Sequence, residues 1–115
     1  MKRIIKLIFV FSLVSFCAVS QQSTEKVFFA QGMLQIESKT TMDSLQTVLR
    51  NEPFMKVVRL DWYSKRIFIL TQGLDSLSLT MFESWFGQYA TQLFCIQIGE
   101  YGVDAMNPYP FANCN

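Results

Sequence analysis

Side chains that act as nucleophiles or bind metals are scarce in this sequence, and the cysteines come first among them. The 115 residues contain three cysteines and no histidine. Catalytic Ser-His and Cys-His arrangements need an imidazole as the base, so the sequence excludes them. Metal sites built on imidazole ligands are excluded for the same reason. Any chemistry would therefore depend on thiols or carboxylates.

Acid–base catalysis by carboxylates alone needs two acids in one site. The candidates are Asp61, Asp75 and Asp104. Asp61 is expected on the mixed face of a strand and Asp75 in the loop before a helix, and both positions are typical of solvated, structural aspartates. We therefore predict that the protein is not an enzyme. An enzyme that uses acids alone is the least favoured of three hypotheses.

The first twenty residues have the pattern of a secretory signal peptide. Cations lie near the start, an apolar run covers residues 7–19, and small residues precede Gln21. The run is shorter than the roughly twenty apolar residues of a membrane-spanning helix. We predict that residues 1–20 are removed after Ser20, and that the mature protein is periplasmic or secreted and not held in the membrane. In the alternative, a lipoprotein signal modifies Cys17, but the bulky Phe16 fits such a site poorly.

Removal of residues 1–20 changes the charge and the thiol count. The formal charge falls from +1 to −2, because ten cations lose three and the nine acids are unchanged. A chain without a clustered basic surface is not expected to bind nucleic acid. Cys95 and Cys114 become the only thiols of the exported chain, and such a pair in an oxidising compartment predicts a disulfide. A reduced redox or metal-binding pair is the alternative.

Four short runs of β-branched and aromatic residues predict strands. They cover residues 27–30, 55–63, 66–71 and 94–98, and the first and last end at Gly32 and Gly99. Only Ser64 and Lys65 separate the second run from the third, which predicts a tight hairpin. In the second run Val58, Leu60 and Trp62 share one face, so that face is apolar and the other is mixed.

Two segments between the strands have helical periodicity. The first begins at Ser38 or Thr40, where Thr40 and Asp43 resemble a capping pair, and it stops before Pro53. The second begins at a similar pair, Thr80 and Glu83, and is expected to end near Gly87 or Tyr89. Its predicted buried stripe comprises Leu79, Phe82, Phe86 and Tyr89.

The succession strand, helix, strand, strand, helix, strand predicts one α+β domain over residues 21–100. It matches the ferredoxin-like βαββαβ plan, a four-stranded antiparallel sheet in the order 4-1-3-2 with both helices on one face. Residues 101–115 contain Pro108 and Pro110, which prevent regular structure around them. We predict an extended C-terminal tail that the Cys95–Cys114 disulfide ties back to the domain.

Two short motifs flank the first predicted helix. Gly32-Met33 lies before it, and Pro53-Phe54-Met55-Lys56-Val57-Val58 leads from it into the second strand. With these motifs, residues 26–98 resemble the heavy-metal-associated domain of small copper chaperones, which reads Gly-Met-x-Cys-x-x-Cys and Pro-Gly-Val at these places. The resemblance implies a ferredoxin-like scaffold.

The resemblance also marks a candidate ligand turn. In that family two thiolates of the turn bind Cu(I) or similar soft ions. The matching positions here are Gln35 and Ser38, which carry no thiol, and Met33 matches a methionine that packs beneath the turn. We therefore expect Met33, Gln35 and Ser38 to form a degenerate ligand turn that holds no metal and no cofactor.

Large aromatic side chains indicate a possible interaction surface. Trp85 lies about 100° around its helix from the buried stripe, and Tyr109 and Phe111 lie in the tail. Exposed together, the three rings would form an apolar patch suited to a protein partner. In the alternative, the tail covers this surface itself.

The sequence thus predicts an exported, non-enzymatic binding or interaction module with an unidentified protein partner. Its scaffold is like that of the heavy-metal-associated domain without the metal thiolates. The alternative is a Cu(I)- or zinc-binding protein that uses reduced Cys95 and Cys114, with Met33 or Met106 as further ligands. The two hypotheses differ in the oxidation state of the two cysteines.

Overall fold

The computed structural model describes residues 25–112 and Cys114, so the predicted signal peptide lies outside the described residues. In this part of the chain, the strands and α-helices follow one another in the order strand, helix, strand, strand, helix, strand. A 3-10 helix precedes the last strand. The elements are β1 (Phe28–Leu34), α1 (Lys39–Arg50), β2 (Met55–Asp61), β3 (Arg66–Thr71), α2 (Leu79–Ser84), the 3-10 helix (Gly87–Gln92) and β4 (Leu93–Glu100).

The four strands form one antiparallel sheet. Their order is β2-β3-β1-β4, which is 4-1-3-2 when it is read from the β4 edge. Strand β1 lies in the interior and pairs with β3 on one side and β4 on the other, while β2 pairs with β3 alone. The predicted α+β class with a four-stranded antiparallel sheet is confirmed, and β2 and β4 are its two edges.

Both helices pack against the same face of the sheet, which we call the helical face. Side chains alternate along each strand, so one set of strand residues faces the helices and the other set faces away. This core buries apolar residues of both helices and of β1, β2 and β3. They include Met42, Leu49, Phe82 and Phe86 with Ala30, Leu34, Val58, Leu60, Ile67 and Ile69. The opposite surface of the sheet is the open face.

Serines, rather than threonines, begin both helices. The Oγ atoms of Ser38 and Ser78 accept hydrogen bonds from backbone N–H groups three residues on, at 3.2 and 3.1 Å. This is the usual way to satisfy an N–H that lacks an intrahelical partner. Of the two predicted starts of α1, Ser38 is right. The predicted capping pairs at Thr40 and Thr80 are wrong, because both threonines already lie in the first helical turn.

Helix α2 is shorter than predicted and ends at Ser84. Gly87 has φ +54, a left-handed conformation that stops the helix, and a 3-10 helix follows instead. Of the predicted buried stripe, Phe82 and Phe86 are buried and Tyr89 is half-buried. The predicted burial of Leu79 is wrong, since its side chain is 52% exposed at the start of the helix.

Strand β1 continues past Gly32 to Leu34, so the predicted end of this strand is wrong. The pairing of β1 with β4 shifts register between Gln31 and Met33, beside Gly32. A Cβ atom at Gly32 would lie 2.5 Å from Ile96 Cδ1 and 3.1 Å from the carbonyl oxygens of Phe94 and Cys95. Gly32 therefore serves the close approach of β4 to β1 rather than a turn.

We expect Gly32→Ala to lower the free energy of unfolding by about 1–3 kcal/mol, the usual range for a side chain forced into a packed site. Urea denaturation followed by tryptophan fluorescence measures the change. Ile96→Val removes the Cδ1 atom nearest the new methyl group. The Gly32→Ala/Ile96→Val double variant should therefore lose less stability than the sum of the single variants. Strict additivity would contradict this account of Gly32.

The tail after β4 crosses the open face, where two glutamine side chains form hydrogen bonds with it. Gln31 and Gln97 are opposite each other on β1 and β4, and Gln31 Nε2 donates to Gln97 Oε1 at 2.9 Å. Gln31 Nε2 also donates to the Asn107 carbonyl, and Gln97 Nε2 donates to the Ala105 carbonyl, both at 2.8 Å. Gln31 is only 1% exposed. The tail thus covers the middle of the open face.

The far end of the tail is fixed by a disulfide. Cys95 and Cys114 are bonded, with their Cα atoms 5.0 Å apart and 19 residues of sequence separation. The predicted pairing of Cys95 with Cys114 is confirmed. Residues 101–112 contain neither helix nor strand, as expected from the two prolines. The tail is therefore held in its middle by hydrogen bonds and at its end by a covalent bond.

Candidate functional site: an arginine-lined cleft at the β2 edge

The structure separates the three residues of the predicted ligand turn. Met33 lies inside β1, half-buried and paired with Arg66 of β3, so it does not pack beneath a turn. Gln35 is exposed after the end of β1, and Ser38 caps α1. Since Gly32 and Met33 belong to the strand, only residues 35–38 connect β1 to α1.

The β2–β3 hairpin holds this connection in place. Lys65 Nζ donates to the Ile36 carbonyl at 2.6 Å, and Trp62 Nε1 donates to the Glu37 carbonyl at 2.9 Å. The Lys65 ammonium also lies 4.5 Å from the centre of a Trp62 ring, a cation–π contact. The carbonyls of this connection are thus used for structure.

The predicted aromatic patch is also divided. Trp85 packs on the helical side, with ring centroids 5.3 Å from Phe54 and 5.8 Å from Phe82. Tyr109 and Phe111 lie on the other side of the sheet, edge to face at 5.7 Å. Because the sheet lies between them, Trp85 does not share a surface with the two tail rings.

A cleft with several charged side chains lies where the open face meets the β2 edge. It has a volume of about 520 Å³, and its walls include Arg50, Arg59, Arg66, Asp61, Phe68 and Tyr109. Residues 25–112 contain three arginines and four lysines. All three arginines line this cleft and none of those lysines does. We call it the arginine cleft.

Arg50 reaches the cleft from the last turn of α1. Its Nε donates to the Val58 carbonyl at 3.0 Å, and Gln46 Oε1, one helical turn earlier, accepts from the Leu60 N–H at 2.8 Å. Both backbone groups lie on the free edge of β2, where an unpaired strand would otherwise attract another chain. Helix α1 therefore protects the edge and places a guanidinium beside it.

Arg59 and Arg66 come from the hairpin. Their strands pair so that Arg59 is opposite Phe68 and Asp61 is opposite Arg66, and all four side chains lie on the open face. The Arg66 guanidinium lies 5.0 Å from the centre of the Tyr109 ring. Its Nε is buried and has no hydrogen-bond partner among the described residues. A buried donor without a protein partner is costly, and the remaining N–H groups of the same guanidinium are the ones that can donate to a ligand in the cleft.

The charge of the cleft is positive. Asp61 is the only acid among the described residues that line it. Hydrogen bonds from the Ser64 hydroxyl and the Ser64 N–H hold the pKa of Asp61 below its ordinary value, and the Arg59 charge adds to this effect. Asp61 is therefore ionised at neutral pH, and three guanidiniums against one carboxylate leave a formal charge of +2. Residues 21–115 together carry −2, seven cations against nine acids.

These groups are equipped to bind an anion. A guanidinium offers a planar fork of N–H donors that fits carboxylate, phosphate or sulfate oxygens. The rings of Phe68 and Tyr109 add apolar walls. No motif in the sequence singles out the three arginines. The alternation of residues along β2 and β3 places Arg59 and Arg66 on one face, but no local pattern indicates that Arg50 reaches the same cleft from a helix.

A comparison of the chain with protein-family models, with curated proteins and with solved structures finds no match. Across residues 25–112, no group of three or more Cys, Asp and Glu side chains is placed to hold a metal ion. None of the helices in the described region is both long and apolar enough to span a membrane.

Proposed function

We propose that this protein is an exported, non-enzymatic binding module on a ferredoxin-like scaffold related to the heavy-metal-associated domain, and that it binds an anionic group of its partner in the arginine cleft. The observation that carries the proposal is that all three arginines of residues 25–112 line one cleft, in which Asp61 is the only acid among the described lining residues.

Binding of an anion is favoured over binding of a metal by the state of the cysteines. The alternative Cu(I) or zinc site would need the free thiolates of Cys95 and Cys114, and these two sulfur atoms are joined to each other. The positions that correspond to the family's thiolates, Gln35 and Ser38, are an exposed amide and a helix cap. An ionised Asp61 without a neighbouring acid in the cleft offers no carboxylate pair for acid–base chemistry.

Citrate is a suitable small probe of the cleft. We expect its addition to shift the NMR resonances of the Arg50, Arg59 and Arg66 Nε–H groups together, with one dissociation constant. Arg66→Gln should weaken citrate binding about tenfold, because it removes a charge-assisted hydrogen bond worth about 1.5 kcal/mol. Asp61→Asn should strengthen it about twofold, since one repulsive charge in the lining of the cleft is lost.

Lys26→Gln is the matched control, because it removes one positive charge from an exposed site outside the cleft. It should leave citrate affinity unchanged. Equal weakening by Lys26→Gln and Arg66→Gln would mean that citrate responds only to the overall charge. That result, or the absence of any shift at the arginine side chains, would contradict the proposal.

A further inference from the structure

The arginine cleft adjoins a second cleft along the edge of the sheet. The second cleft has a volume of about 480 Å³ and is lined by β2 residues from Met55 to Arg59. It shares Arg50 and Arg59 with the arginine cleft. Together the two clefts follow β2 over its whole length, which is about 20 Å for the six steps of 3.3 Å between its seven residues. We call this the β2 groove.

The charges of the β2 groove are spread along this length. Lys56 lines the second cleft, Arg50 and Arg59 line both, and Arg66 lines the arginine cleft. Asp61, at one end, is the only acid among its described lining residues. A ligand with a single acid group would contact one part of such a groove. A ligand with acids at intervals would contact all of it.

An extended polypeptide can carry acidic side chains at regular intervals along the groove. Acidic residues at alternate positions of a strand point to the same side and lie about 7 Å apart, twice the rise per residue. The Val58 carbonyl and the Leu60 N–H of the β2 edge are already bonded to Arg50 and Gln46, so such a segment would be held by its side chains rather than by strand pairing. A long polyanion would extend beyond 20 Å onto a surface with a net excess of acids, where it would be repelled.

We propose that the partner contributes a short acidic segment, which lies extended along the β2 groove with its carboxylates on Arg50, Arg59, Arg66 and Lys56. This inference depends on the proposed anion site and specifies the partner. A second copy of this chain is a poor occupant. Symmetric pairing of two β2 edges would bring these cations against their own equivalents, and like charges across paired strands are destabilising.

The test compares three probes against the mature protein by NMR titration and fluorescence anisotropy. The first is an octapeptide in which glutamate alternates with threonine, and the second is its glutamine counterpart. The third is a hyaluronan octasaccharide, which carries carboxylates on a sugar chain. We expect the glutamate peptide to bind at least tenfold more tightly than citrate and to shift backbone amides from Met55 to Asp61. The glutamine peptide should bind at least tenfold more weakly.

Lys56→Gln separates this inference from the anion site on which it depends. Lys56 lines only the second cleft, so its loss should weaken the glutamate peptide about threefold and leave citrate affinity unchanged. Arg66→Gln should weaken both ligands, and Lys26→Gln neither. Normal citrate binding with a peptide that is no tighter than citrate, or with hyaluronan tighter than the peptide, would overturn the acidic-segment inference alone. Absence of binding by citrate and peptide alike would overturn the anion site as well.

Discussion

Phe82→Ala is expected to lower the free energy of unfolding by about 3–5 kcal/mol, the range for truncation of a buried phenylalanine. Phe82 is 0% exposed and lies at the centre of an aromatic cluster on the helical face. Its ring centroid is 5.0 Å from that of Phe86 and 5.8 Å from that of Trp85. Because small domains have total stabilities of about 5–15 kcal/mol, this loss brings the protein close to its unfolding threshold.

Urea denaturation monitored by tryptophan fluorescence measures the effect, since Trp85 contacts the substituted side chain. Leu79→Ala is the matched control in the same helix. Its side chain is 52% exposed, so a loss of less than about 1 kcal/mol is expected. Similar losses for the two variants would show that Phe82 does not hold α2 against the sheet.

Removal of the disulfide has the second large expected effect. The Cys95→Ser/Cys114→Ser variant should lose about 3 kcal/mol of stability, the loop-closure entropy for about twenty residues. The freed tail also carries Tyr109, a wall of the arginine cleft, so citrate affinity should fall together with stability. Thermal unfolding and citrate titration measure the two changes.

Reduced wild-type protein is the control for the disulfide variant. It has the same loose tail but retains both sulfur atoms, and it should match the serine variant in melting temperature and in citrate affinity. If reduction lowers the melting temperature while citrate affinity is unchanged, the tail does not contribute to the cleft. If neither changes, the glutamine hydrogen bonds alone fix the tail.

The fold was predictable because its signals are local and repeated. Val58 and Leu60 were assigned to the buried face of β2 from alternation alone, and both are buried. The start of α2 was missed by two residues, because serine and threonine both cap helices and the sequence offers Ser78 and Thr80 close together. Gly32 was misread because a glycine that admits a neighbouring strand resembles, in sequence, a glycine that ends one.

The candidate site was less predictable than the fold, for a physical reason. Arg50, Arg66 and Tyr109 belong to a helix, a strand and the tail, and they meet only through tertiary packing. The spacing of residues along the sequence does not show which of them tertiary packing brings together. The Cys95–Cys114 pair could be predicted because the count of cysteines restricts the choice, and no such count restricts three arginines.

The buried contact of Gln31 with Asn107 limits how the C-terminal segment can change in length. The tail between β4 and Cys114 is attached at two points, first at the hydrogen bond from Gln31 to the Asn107 carbonyl and then at the Cys95–Cys114 disulfide. These two points fix the length of chain on either side of Asn107. Deletion of a residue between Asn107 and Cys114 would place these two anchors in conflict and would move Tyr109 relative to Arg66. Natural variation in this segment should therefore conserve its length more strictly than its composition.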